Sequence, residues 1–230
     1  MPDIVIVDSF STDNTAQIAK SYPNVNFLTS PWIGFVENKK IALANTKNDW
    51  VLWVDADEEV SSELEKEIKQ LFLHPLELVV FDIPRKTYFL NKWIKHTGWY
   101  PGRVKRLFNK QHCHFNNHLL HEGIETTLPH LTGHLKNDLH HYSYKTLYQY
   151  FDKMNYYGKS GAEELKRKGR KYHHYQLVLN PISTFLKFYL LKKGFKDGVQ
   201  GFIISAGSAF SNFIKYVNFY YLTKNEKDHN

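Results

Sequence analysis

Short apolar blocks, each closed by acids or turn residues, alternate with helix-period segments over the first eighty or so positions. Ile4-Val5-Ile6-Val7, held between Asp3 and Asp8, predicts a buried strand over residues 3–8. Residues 9–14 are polar and read as a turn. Residues 15–21 read as a short helix, with Thr15, Ile18 and Ala19 on one face. Another strand is predicted over 25–28, and a helix over 36–45 after the breaks at Pro31 and Gly34. Trp50-Val51-Leu52-Trp53-Val54 predicts a strand buried on both faces. Ser62-Glu63-Leu64-Glu65 looks like a capping box that opens a helix reaching about residue 74. Strand-like runs follow over 78–83 and 103–108, and long helices begin near Tyr142. Alternation at these lengths predicts an α/β fold: a Rossmann-related, mostly parallel sheet flanked by helices, with a helical C-terminal extension. The expected division is 1–142 for the sheet domain and 143–230 for the extension.

Chemistry enters where the 50–54 run stops. Four of the next five residues are acids, Asp55, Asp57, Glu58 and Glu59, and these cannot follow the strand into the interior. At the carboxyl end of a strand in an open α/β sheet they stand where ligands bind. Asp55 and Asp57 would suit Mg²⁺ or Mn²⁺, hard cations commonly shared with substrate phosphates. An acidic helix start accounts for Glu58 and Glu59 without any ligand. The strand over 3–8 also ends in a carboxylate, followed by Ser9, Ser11 and Thr12; this is either a nucleotide-holding turn or a plain helix cap.

Charge is distributed unevenly. Residues 1–60 carry net −5 and residues 131–230 net +9, so a cation site in front and an anionic partner behind are expected. Cys113 is the one cysteine, which excludes an intramolecular disulfide framework and favours a reducing, cytoplasmic setting. The start has no signal-peptide pattern, because strand residues begin at once and Asp8 interrupts them. His114 and His118 have a zinc-like spacing, but no Cys-x₂-Cys pair accompanies them.

Five ordered motifs then speak together. They are Asp8-Ser9-Phe10-Ser11-Thr12-Asp13-Asn14-Thr15, Asp55-Ala56-Asp57 after a helix bearing Lys39, Arg103 with Arg106-Leu107-Phe108, and His121-Glu122-Gly123. The fifth runs from Asn180-Pro181 through Phe185 and Gly194-Phe195-Lys196-Asp197-Gly198 to Gly201. In these the chain resembles the family 2 glycosyltransferases of GT-A fold, of the lipopolysaccharide-core type. The resemblance implies that Asp8, with Ser11 in its turn, holds the base or ribose of a nucleotide sugar, and that Asp55 lies near ribose and metal. It implies that Asp57 ligates Mg²⁺ or Mn²⁺ under the diphosphate, and that Lys39, with Arg103 or Arg106, supplies positive charge. Apart from the resemblance, His141, just ahead of the rear helices, would approach the metal or diphosphate. Glu122 would be the general base of an inverting transfer, with Asp82, Glu125 and Asp138 as alternatives and His121 as its orienter.

The implied donor is a UDP-sugar and the implied acceptor a lipid-linked or oligosaccharide hydroxyl. Phe10 stands where many relatives have Gly, and Lys40 where they often have Asn. Relatives also begin with one further βα unit, about thirty residues by analogy, so a truncated, noncatalytic nucleotide-binding remnant is an alternative. A nucleic-acid-binding protein is a second alternative, from the basic rear with its Tyr and Trp. Those residues follow no recognisable module, so no nucleic-acid partner is expected.

The rear third raises the question of a membrane. Residues 198–214 lack charge but are interrupted by Gly, Ser, Gln and Asn, so they do not read as a spanning helix. Phe202, Ala206, Ala209, Phe213, Val217 and Tyr220 share one helical face, and Ser205, Ser208, Asn212, Lys215 and Asn218 another. With Lys166 to Lys171 and Lys192-Lys193 nearby, this helix would either lie on anionic lipid at the cytoplasmic membrane's inner face or pack on protein. The helix over 144–168, with Leu147, Phe151, Met154 and Tyr157 in register, is expected to pack in the core.

Overall fold

The computed structural model describes residues 3–116 and 123–224. In chain order the elements are β1 (Ile4–Asp8), α1 (Thr15–Lys20), β2 (Val25–Thr29), α2 (Phe35–Ala44), β3 (Trp50–Leu52), β4 (Glu58–Val60), α3 (Ser62–Leu71), β5 (Val80–Ile83), β6 (Arg85–Phe89), β7 (Lys92–Trp93), β8 (Val104–Asn109), β9 (Cys113–Phe115), β10 (Ile124–Thr126), β11 (Thr132–His134), β12 (Leu139–Tyr144), α4 (Leu147–Arg167), α5 (Gln176–Leu186) and α6 (Gly198–Lys224). They form two compact units. The first comprises Met1–Ala56, Val60–Pro84 and Arg103–Leu139; the second comprises Asp57–Glu59, Arg85–Gly102 and His140–Asn230.

In the first unit β1 and β2 run parallel, in register from Ile4 opposite Val25 to Asp8 opposite Thr29. A four-stranded sheet has the order β11-β5-β8-β3. It is mixed: β11 and β5 are parallel, whereas β8 is antiparallel to both β5 and β3. Parallel partners need a long crossover, usually a helix; between β5 and β11 it is built of strands β6 to β10 instead. That alternation lapses after α3, where no α-helix separates β5 from β8. Both faces of this sheet are covered. Val80 and Phe108 join Trp53, Val79, Phe115 and Ile124 in one cluster; Phe81 and Leu107, one residue along each strand, join Leu64, Ile83, Leu135 and Leu139 in another.

Several boundaries move for physical reasons. The predicted 50–54 strand ends at Leu52, although the Trp53 N–H still donates to the Arg106 carbonyl at 2.9 Å. Glu58 and Glu59 form β4 rather than an acidic helix start. The cap of α3 is Ser61, held extended, whose hydroxyl accepts from the Leu64 N–H at 3.1 Å; the helix therefore begins at Ser62 and closes at Leu71.

The second unit joins the sheet β4-β12-β6-β7 to the long helices. Its core is Phe89, Ile94, Tyr150, Met154 and Ile204. Both long helices pack on protein, but the faces they cover only partly follow the sequence pattern. On α4 the covered residues are Tyr150, Met154, Gly158 and Ala162, while Leu147, Phe151 and Tyr157 stay more than a third exposed. On α6 the buried residues are Gly201, Ile204, Ser205, Gly207 and Phe219, most of them small, while Phe202 and Phe213 keep 50% and 40% of their surface exposed.

The reason is close helix approach. A Cβ at Gly158 would meet Ile214 at 2.6 Å, and one at Gly207 would strike the Tyr150 ring. The hydroxyls cost little to bury because they bond within α6, Ser205 to the Gly201 carbonyl at 2.7 Å and Ser208 to the Ile204 carbonyl at 2.8 Å. Tyr150 donates to that same Ile204 carbonyl at 3.0 Å. Asp197, buried ahead of α6, accepts from the N–H groups of Lys95 and His96 at 3.2 and 2.8 Å.

This packing makes a prediction. Gly207→Ala should destabilise the protein by about 1–3 kcal/mol through overpacking. Gly161→Ala, whose Cβ meets the flexible Lys215 chain, should be neutral or stabilise by up to about 1 kcal/mol from helix propensity. Urea denaturation of both variants checks this, and equal effects would reject close contact as the cause.

Candidate functional site

The turn after β1 is organised by its last residue. Asp8 is buried and accepts from the Ser11 N–H at 2.9 Å and the Ser11 hydroxyl at 2.5 Å, while its own carbonyl accepts from Ser30 N–H at 3.0 Å. Asn38 of α2 reaches the same turn, donating to the Ser9 hydroxyl at 3.0 Å. Between Ser9 and Ser11, Phe10 takes φ 61° with its ring exposed. That left-handed conformation favours glycine, which is the residue many relatives were expected to have there.

In the first unit, β3, α2 and β8 converge on Asp55. Its Oδ1 lies 3.1 Å from Lys39 Nζ and accepts from Trp53 Nε1 at 2.8 Å; its Oδ2 lies 2.6 Å from Arg106 Nη2. Lys39 and Arg106 each also stand 3.9 Å from the Trp53 ring centre, within cation–π range. Arg106 is only 4% exposed. Burial opposes ionisation of Asp55, but the Arg106 and Lys39 charges and the hydrogen bonds outweigh it and hold the carboxyl below its ordinary value.

Asp57 belongs to the second unit, and its surroundings are different. The side chain is about half exposed, and His141 Nε2 of β12 is 3.2 Å from its Oδ2. His141 Nδ1 lies 3.4 Å from the Thr87 hydroxyl of β6, and the Asp57 carbonyl accepts from the Tyr142 N–H at 2.8 Å. Burial again opposes ionisation, and the hydrogen bond and charge of His141 prevail, so this carboxyl too sits below its usual range. The neighbouring acids are engaged elsewhere: Glu58 is 3.6 Å from Arg85, and Glu59 accepts from the Tyr142 hydroxyl at 2.7 Å.

The remaining candidates are placed as follows. Arg103 donates to Asp82 Oδ1 and to the Leu135 carbonyl, both at 2.5 Å, and His134 approaches the other Asp82 oxygen at 2.8 Å. Asp138 keeps one buried carboxylate oxygen without a hydrogen-bond partner among the described residues. Glu125 lies on β10. Glu122, His121 and His118 fall outside the described residues. Cys113 packs in the core with its thiol pushed up by burial, and no group of three His, Cys, Asp or Glu suited to a metal occurs among the described residues. A pair of protein donors remains compatible with a divalent ion, because Mg²⁺ and Mn²⁺ commonly take one or two protein ligands and complete their shell with phosphate and water. Asp57 and His141 are such a pair.

Sequence reading missed Trp53 and Thr87. Trp53 reads as a strand residue, yet it touches both cations and the carboxylate; an indole two positions before the first acid of Asp55-Ala56-Asp57 is the available signal. Nothing in the sequence marks Thr87.

The sequence profile described as Glycosyl transferase family 2 matches residues 2–134. An uncharacterized glycosyltransferase of Rickettsia prowazekii (strain Madrid E) is 31% identical over 93% of this chain and 76% of its own length. Another from Rickettsia typhi (strain ATCC VR-144 / Wilmington) is 29% identical over the same shares. The lipopolysaccharide core biosynthesis glycosyltransferase LpsC of Rhizobium meliloti (strain 1021) is 27% identical over 95% of this chain and 82% of its own length. With more than half its length matched by the profile, the chain belongs to glycosyl transferase family 2 and is a glycosyltransferase.

Proposed function

We propose that this glycosyltransferase is inverting and metal-dependent, moving a sugar from UDP to a lipid-linked or oligosaccharide acceptor in lipopolysaccharide assembly, at the inner face of the cytoplasmic membrane. The carrying observation is the unequal state of two carboxylates one residue apart. Asp55 is engaged by Lys39, Arg106 and Trp53, whereas Asp57 is half exposed, ionised at neutral pH and next to His141. This supports a division of roles. Asp57 with His141 would hold Mg²⁺ or Mn²⁺, and Asp55 would fix the two cations that face the diphosphate. The ion, when bound, would neutralise the departing diphosphate.

The chain's own part is positioning and proton transfer. Asp8 and Ser11 would hold the base or ribose, and Lys39 and Arg106 would stabilise charge growing on the leaving UDP. Glu122 would take the proton of the acceptor hydroxyl as its oxygen bonds to the anomeric carbon and the bond to phosphate breaks on the opposite face. Asp138, with its unpartnered oxygen, is the second choice for base. The LpsC relative supports a lipopolysaccharide acceptor. In this reading residues 1–142 would bind the donor and 143–230 would form the helical extension, which in the fold shares its compact unit with Asp57–Glu59 and Arg85–Gly102.

Three outcomes are expected. Asp57→Ala should abolish Mn²⁺-dependent UDP binding in calorimetry, and His141→Ala should weaken it by about 10–100-fold; unchanged binding in both would remove the metal role. Glu122→Gln should keep UDP binding and lose sugar transfer. If it turns over normally while Asp138→Asn does not, the base is Asp138.

Asp55→Asn should cost about 1–3 kcal/mol at neutral pH by leaving buried cations underpaired. Its carboxyl is depressed in the fold, so that contribution is complete above the ordinary value of 3.8 and fades as pH falls through the lower folded value. Urea titrations at pH 7 and 5 should therefore give the same penalty, with shrinkage only below about pH 4. A penalty already halved at pH 5 would contradict the depressed carboxyl.

A further inference from the structure

Helix α5 has two apolar faces, and α6 covers one of them. On the covered side Thr184 accepts from Asn212 of α6 at 3.0 Å, and Phe185 meets Phe202 of α6 ring to ring. On the other side Tyr175, Val178, Leu179, Ile182 and Leu186 are all exposed. At helical spacing these five occupy an arc of about 100°, a continuous stripe rather than scattered residues. The stripe continues through a π-helical stretch, Lys187–Leu191, where Leu190 and Leu191 are exposed, Leu191 at 79%. Exposed aliphatic surface arranged contiguously marks an interaction site.

The charge around the stripe identifies the occupant. From Leu165 to Lys196 there are nine Lys or Arg and no Asp or Glu, and the next acid, Asp197, is buried against His96. Lys187, Lys192, Lys193 and Lys196 are exposed within or beside the apolar stretch. Aliphatic residues flanked by lysines match the two layers of an anionic bilayer interface, acyl boundary below and lipid phosphate above. No helix among the described residues is long and apolar enough to cross a membrane, so the contact would lie in the plane of the surface.

We propose that the outer face of α5 and the lysine-rich stretch after it dock this glycosyltransferase on an anionic membrane. The surface is α5, not the α6 face that its sequence pattern offered. It involves neither the carboxylates nor the cations of the proposed donor site, so docking and transfer fail or stand separately.

The test is sedimentation of the full chain with phosphatidylcholine vesicles, with and without phosphatidylglycerol. Binding should require the anionic lipid and weaken with salt. Ile182→Ser with Leu186→Ser should reduce partitioning at least tenfold at unchanged circular dichroism. Lys192→Ala with Lys193→Ala should reduce it by about fivefold per lysine. UDP binding should be unaltered in both, because neither pair touches the donor site. Equal binding to neutral vesicles, or partitioning indifferent to both pairs, would overturn the proposal. So would a lipid-free dimer, seen by light scattering, that Ile182→Ser with Leu186→Ser dissociates, since the stripe would then belong to a second copy.

Discussion

A guanidinium almost wholly withdrawn from water must keep its counter-charge, and Arg106 is in that position. Its partner Asp55 is the residue at which β3, α2 and β8 are held together by charge as well as by packing. An isolated buried charge costs several kcal/mol. The cluster avoids most of that cost by sharing one carboxylate between two cations and laying both near the Trp53 ring. Asp57 has other partners, His141 among them. Two acids that look equivalent in the sequence are therefore different groups in the fold.

The elements of the first unit were readable because each follows from a local rule. Alternation and strand length gave β1, β2 and β3 within a few residues. Gly34 and Pro31 gave the start of α2. Two features escaped for lack of a local signal. The antiparallel place of β8 depends on partners far away in sequence, and nothing in Val104 to Asn109 distinguishes one pairing sense from the other. β4 is three residues long and two of them are acidic, so composition argued for a helix start; the ladder to β12 decides otherwise. At the site, Asp8, Asp55, Lys39 and Arg106 were visible as types. That Arg106 is deeply buried while Arg103 holds Asp82 was open, because the two differ by three positions and a β-bulge at Phe81/Asp82 shifts the register opposite them.

Phe10 illustrates the opposite case, where the sequence departs from expectation and the backbone does not. The turn holds its left-handed residue between two fastened neighbours: Asp8 is tied to Ser11 by two bonds, and Asn38 bonds Ser9. A phenylalanine there bears roughly 1–2 kcal/mol of strain, which the surrounding hydrogen bonds must offset.

The helices show why a two-faced pattern does not say which face is covered. Hydrophobic periodicity assumes that burial is measured in apolar area. Between α4 and α6 it is measured in distance of approach: Gly158 and Gly207 admit Ile214 and Tyr150, contacts that larger side chains would hold apart. Serine is tolerated at such a seam because its hydroxyl bonds a carbonyl one turn back, so it enters as a small residue rather than a polar one. Phe202 and Phe213 then lie away from that seam, half exposed, and Phe202 meets the ring of Phe185 on α5 instead. The same logic applies to α5. Asn212 and Phe202 of α6 claim one side of it, and the aliphatic stripe is what remains on the side that α6 does not reach. A face left apolar after the internal packing is complete, in a stretch that also lacks acids, is explained by something outside the fold more readily than by the fold itself.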